Sequence, residues 1–254
     1  MAFFKSSNPA LGEETFAKHG VASSSANAMT MQGTANKTAI LLLLACCSAL
    51  WTWNIFFNAL DVESARGAVA PWMIGGAIGG FIVAMITIFK QEWAYITAPI
   101  YAILEGLFLG GISAYFEAAY GGIVIQAVLL TLTTFVALLV LYKTGLVRAT
   151  ENFKLIVTSA TGGIALVYLV NMILSMFGMQ IPYIHESGVI GIGFSLLVTG
   201  IAALNLVMDF DFIEEGEKQQ APKFMEWYAA FGLMVTLVWL YIEFLKLLSK
   251  LRND

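Results

Sequence analysis

Four acidic residues stand in apolar surroundings. Glu105 lies between Leu104 and Gly106, Asp209 and Asp211 follow the run that ends at Met208, and Glu243 sits within Tyr241-Ile242-Glu243-Phe244-Leu245. An ionised carboxylate near the middle of a bilayer costs about 2.5–3.5 kcal/mol on insertion scales, so a membrane helix keeps one for proton exchange, cation binding or an ion pair. Two such groups close together in a poorly solvated site cannot both ionise readily. A pair made by Asp209 and Glu243 would therefore act as a pH-dependent latch, closed when it shares a proton and able to bind a cation when both acids ionise. The plainer alternative stays open: Asp209 and Asp211 solvated at an interface, and Glu243 paired with Lys246 one turn away.

Helical phase gives the acids neutral polar company. Ser195, Thr199, Ala202, Asn205 and Asp209 recur at three or four residues and share a face, as do Tyr168, Asn171 and Ser175, and Thr97, Tyr101 and Glu105. These stripes line a hydrated path, or they join helices by hydrogen bonds worth about 0.6 kcal/mol each. Other chemistry has little support. His19 and His185 fall outside the apolar runs, and no His, Cys or carboxylate cluster has metal-ligand spacing, so no metal cofactor and no enzyme activity are expected. Gly193-Phe194-Ser195 is followed by Leu196 rather than Gly, and no His within an apolar run is available to serve Ser195 as a base. Cys46 and Cys47 are adjacent, poorly placed to bridge each other, and expected to be buried apolar residues.

The elements that must position these residues are membrane helices. Hydrophobic residues make up 59% of the 254 and charged residues 12%, about half the charged share of a soluble domain. The net charge of −4 and the lack of a basic tract argue against nucleic acid as a partner. Seven apolar runs follow Lys37, at about 38–60, 69–89, 94–115, 121–141, 155–177, 189–208 and within 224–248. Each is close to the roughly 20 residues that cross a bilayer as a helix. The period-2 alternation of a membrane barrel is absent. The expected architecture is all-α: a seven-transmembrane-helix bundle over residues 37–254, preceded by a flexible arm over residues 1–36 rich in Ser, Ala, Thr and Asn. Gly75 and Gly79, Gly76 and Gly80, and Gly106 and Gly110 are each four apart and are expected at helix contacts.

Lys and Arg set the orientation. The side holding the arm carries nine, namely Lys5, Lys18, Lys37, Lys90, Lys143, Arg148, Lys154, Lys218 and Lys223. The opposite side carries four, Arg66, Lys246, Lys250 and Arg252. The N-terminus is therefore expected in the cytoplasm and, with seven spans, the C-terminus outside. A six-span alternative with a re-entrant seventh segment would return the basic tail to the cytoplasm.

Tyr101 to Ser113 (YAILEGLFLGGIS), Met208 to Ile213 (MDFDFI) and Trp239 to Leu247 (WLYIEFLKL) occur in this order within a seven-span pattern. In this the chain resembles the Bax-inhibitor-like family, and its bacterial branch in particular, over roughly residues 38–250. The resemblance implies a bundle with a central helix, a calcium-permeable leak governed by pH through an aspartate pair, and residence in a bacterial cytoplasmic membrane. One member of the pair falls on Asp209. The other falls on Glu243, where the usual residue is Asp, so these two are also the implied calcium contacts. Lys90, near the end of the second span, is the implied basic partner in a closed state. By position alone Glu105 and Asn205 are further polar elements, and Asp211 is the alternative partner for Asp209. The stretch from Phe210 to Ile242 is long for the family. A seventh helix beginning at Phe224 would carry Glu243 roughly 28 Å along its axis, away from Asp209, so the pair requires the membrane-embedded part to begin later, near Phe231.

The leading functional expectation is thus a passive, pH-sensitive cation pathway with calcium as the permeant ion. The competing class is a regulator that binds other membrane proteins, such as a membrane-bound protease, through the arm and the acidic segment 214–217. A proton-coupled transporter would need a substrate site and usually inverted repeats, and no clear internal repeat is present.

Overall fold

The computed structural model describes residues 27–178 and 188–253. The first 26 residues of the expected arm, with Lys5, Lys18 and His19, lie outside the described residues, as does His185. Seven helices follow in order: α1 Met31–Phe57, α2 Val62–Phe89, α3 Ala94–Ala119, α4 Ile123–Lys143, α5 Glu151–Met176, α6 Val189–Lys218 and α7 Met225–Arg252, with a single 3-10 turn at Gln91–Trp93 before α3. All seven are long and apolar enough to span a membrane. Large apolar side chains such as Leu43, Trp51, Ile74, Phe81, Leu129 and Ile156 are more than half exposed, a surface that suits lipid and not water. The protein is a multi-pass, all-α integral membrane protein. Its seventh segment is one continuous helix of 28 residues, which removes the six-span alternative. It is also the most buried of the seven spans.

Local sequence explains most helix ends. Asp61 caps α2 in a reciprocal box with Ser64, and Thr30 and Thr150 cap α1 and α5 by accepting from the amides of Gly33 and Phe153. Gly122, at φ 80°, supplies the left-handed residue that turns the chain into α4. Helix α1 starts at Met31, earlier than the apolar run beginning at Thr38. The cap at Thr30 and the polar residues Gln32, Asn36 and Lys37 extend the helix beyond the part that needs lipid.

Two compact units make up the described residues, 27–121 with 213–234, and 122–212 with 235–253. In the first, α1 and α3 cross at very short range. A Cβ on Gly106 would lie 2.8 Å from the Cα of Ala45, and one on Gly110 would lie 2.6 Å from the Cα of Ala49. Gly76 faces the α3 backbone in the same way, 3.0 Å from the amide of Phe108. Gly75 does not: nothing lies within 4 Å of its Cβ position, so only part of the expected glycine pattern is a helix contact. Phe56, Ala65, Val69 and Ala114 close the core at one end of α1–α3, with Trp53 and Tyr115 packed against them. Cys46 and Cys47 are exposed on the outer side of α1 rather than buried. The thiols are small and weakly polar, so lipid accepts them there at little cost.

In the second unit, Phe210 of α6 meets the rings of Phe135 and Tyr142 of α4 at 5.6 and 5.9 Å. The acidic stretch beyond Met208 is not a loop, because α6 continues through it to Lys218.

Candidate functional site: a polar ladder along α5, α6 and α7

Within residues 122–212 and 235–253 the polar side chains form a ladder. At one end Lys154 of α5 pairs with Asp211 of α6 at 3.0 Å, and the Tyr142 hydroxyl donates to the same carboxylate at 3.3 Å. One and a half turns further along α6, the Asn205 amide donates to Thr161 Oγ1 at 2.9 Å. Asp209 lies between these levels and is 1% exposed. Two turns beyond Thr161, the Tyr168 hydroxyl donates to the two oxygens of Glu243 at 3.1 and 3.2 Å, and Lys246 binds Glu243 at 2.9 Å. At the far end Lys250 donates to Ser195 Oγ at 2.8 Å and to the Gly191 carbonyl at 3.0 Å. The stripe Ser195, Thr199, Ala202, Asn205 and Asp209 is buried throughout, at 5% exposure or less. Thr199, however, spends its hydroxyl on the carbonyl of Ser195, as a helix-satisfying threonine does. The shorter stripe on α5 divides: Tyr168 joins the ladder, while Ser175 is exposed and bonds back to Asn171.

These contacts fix the depth of Glu243. The pairs Lys154–Asp211 and Thr161–Asn205 show α5 and α6 running antiparallel. Tyr168 is seven residues past Thr161, so it reaches Glu243 about 10 Å below Asn205, while Asp209 lies about 6 Å above it at 1.5 Å per residue. The Lys250–Ser195 bond gives a second ruler. From that level Asp209 is about 21 Å away along α6 and Glu243 about 10 Å along α7. The two carboxyls are thus separated by roughly 10–16 Å along the helix axes, further than a shared proton or a jointly held calcium ion allows. The expected Asp209–Glu243 pair is therefore not formed, and the two carboxylates stand at successive depths along the ladder. The physical reason is the early start of α7 at Met225, which carries Glu243 deep along the helix. The plainer alternative for Glu243, a pair with Lys246, is what the side chains make.

Glu105 and Lys90 belong to the other unit. The Glu105 carboxyl interacts with Tyr101 one turn away and lies against α2, 3.3 Å from the Cβ position of Gly80. Thr97, on the same stripe, receives a hydrogen bond from Thr87 of α2 at 2.8 Å. Lys90 is exposed at the C-terminal cap of α2.

This unit also holds a cluster that spacing does not announce. Glu226, in the first turn of α7, is fully buried and accepts from the amide and the hydroxyl of Thr30, each at 2.9 Å, from Lys223 at 2.8 Å and from Lys37. Glu217 accepts from the Met31 amide at 2.9 Å, so two carboxylates satisfy the free amides at the start of α1, where the helix dipole favours negative charge. Met29 donates to the Ala221 carbonyl at 2.7 Å, strapping the chain before α1 to the turn between α6 and α7. Lys223 three residues before Glu226 is the only sequence signal for this cluster, since the partners on α1 are about 190 positions away.

Among the described residues no three His, Cys, Asp or Glu side chains converge as a metal site would require. A family model described as Bax inhibitor 1 like matches residues 8–253. The comparisons with curated proteins and with solved structures gave no match.

Proposed function

The chain belongs to the Bax inhibitor 1-like family, and from that premise we propose that it is a pH-sensitive, calcium-permeable leak in a bacterial cytoplasmic membrane, with its N-terminus in the cytoplasm. The observation that carries this reading is the polar ladder, on which two carboxylates, Asp209 and Glu243, are each 1% exposed on membrane-spanning helices. Intramembrane acids on facing helices mark ion or proton pathways more often than structural contacts. Because the two lie at different depths, they act in series: a cation passing the Asp211–Lys154 end would meet Asp209, the Asn205–Thr161 step and then Glu243. Each acid offers a negative site when ionised and an uncharged one when protonated, which couples passage to pH without a shared proton. Lys90 and Glu105, on the other unit, have no assigned step.

Purified protein in liposomes loaded with a calcium dye tests the reading. Flux should change with pH and fall in Asp209→Asn and Glu243→Gln. Flux that is insensitive to both pH and substitution would remove the carboxylates from the path.

The strap between residues 28–29 and 221–222 favours a second reading, a regulator of other membrane proteins acting through the residues that precede α1. Deletion of residues 1–26 separates the two, since it spares the strap and α1: a regulator loses its effect, whereas a channel still leaks.

A further inference from the structure

Glu243 holds the protein's own cation. The Lys246 ammonium is 2.9 Å from Glu243 Oε1 and stands 4.8 Å from the centre of the Tyr168 ring, whose hydroxyl donates to both carboxylate oxygens. Anion, phenol and aromatic face together make a small cation receptor. Its exposure is one-sided: the Glu243 side chain is 1% exposed and that of Lys246 is 38%. The ammonium stands at the open side and the carboxylate lies behind it. Lys246 is three residues from Glu243 on the same helix, so it can leave by side-chain rotation alone. A second cation within electrostatic range, Lys250, is engaged by Ser195 and by the Gly191 carbonyl.

We propose that Glu243 and Tyr168 form a cation-binding site that Lys246 fills as a tethered competitor, with a hard divalent cation as the exchanging ligand. The inference rests on the cation-path reading above and adds the element that keeps the path shut at rest. A free cation of single charge competes poorly with an ammonium held at high effective concentration, whereas a divalent ion has twice the attraction for the carboxylate. One carboxylate and one phenol bind such an ion weakly, and weak sites are the ones that release a permeant ion.

Terbium(III), a hard oxygen-seeking ion whose luminescence is sensitised by a nearby aromatic ring, reports binding without reference to flux. In the purified full-length protein, Lys246→Met should lower the terbium concentration at half-maximal response roughly tenfold, the factor that 1.4 kcal/mol of lost competition corresponds to. Lys246→Gln should act in the same direction and covers the case in which the Met variant does not fold. Adding Glu243→Gln to either should abolish the gain, and Lys246→Arg, which keeps the charge, should show less of it. Lys143→Met, at the exposed C-terminal end of α4, is the control expected to leave the response unchanged. In liposomes the Met and Gln variants should leak faster than the parent. A terbium gain without leak in any protein upholds the site and overturns the cation path. Leak in the parent, with no terbium gain in either neutral variant, upholds the path and overturns the competitor.

Discussion

Glu226→Ala removes the acceptor around which the start of α1 is assembled. The side chain it deletes is 0% exposed, and its partners Lys37 and Lys223 are 17% and 48% exposed. Lys223 can return to water, so its share is small. Lys37 cannot do so fully, and the Thr30 amide and hydroxyl lose the acceptor they share. Removing one partner of a buried pair costs about 3–5 kcal/mol, and the partial exposure of Lys37 places this case near the lower value, about 3 kcal/mol. At 2–4 °C per kcal/mol for a chain of this size, the melting temperature should fall by roughly 6–12 °C. Trp227 reports the event, because the Lys37 ammonium lies 5.5 Å from the centre of its ring. Thermal unfolding of the detergent-purified protein, followed by tryptophan emission, is the assay. Gly33→Ala approaches the same cluster from the other side, since a Cβ there would enter the volume of the Glu226 carboxyl. It should also lower the melting temperature, and its combination with Glu226→Ala should be less than additive. A melting point for Glu226→Ala within about 2 °C of the parent would show that the cluster contributes under 1 kcal/mol and refute the reasoning.

Two further outcomes are expected. Gly106→Leu should prevent α1 and α3 from closing, because even a Cβ at that position lies 2.8 Å from the Ala45 backbone; the measurement is the yield of monodisperse protein, which Gly75→Leu, facing open space, should leave unchanged. The Ser64 amide holds the Asp61 carboxyl below the ordinary aspartate value, so its support of α2 is complete above that value and is lost as pH falls through the lowered one. Asp61→Ala should therefore destabilise the protein at neutral pH and progressively less as the pH falls through the lowered value, as read by melting curves across that range.

The seven spans are legible because each apolar run is long, and because a bilayer rewards length and composition without regard to partners. The stripe from Ser195 to Asp209 is legible for a related reason: helical phase alone puts its members on one face, and all of them are buried. What phase cannot give is the depth of one helix against another. That depth turned on where α7 begins, and Met225 starts it beside the Glu226 cluster, six residues before Phe231, where the pair required the membrane-embedded part to begin. The same limit hid Thr161, Tyr142 and Lys154, whose roles are visible only beside α6. Gly75 and Gly76 show the problem at its smallest scale. Neighbouring glycines look alike in sequence, and a 100° rotation decides that one touches α3 and the other does not.

The strap from Met29 to Ala221 gives the residues before α1 a mechanical meaning. They are joined not only to their own helix but, through one backbone bond, a short bridge and the Glu226 cluster, to the hairpin that links the two helices bearing Asp209 and Glu243. Tension applied at Met29 is then delivered to that hairpin as well as to α1.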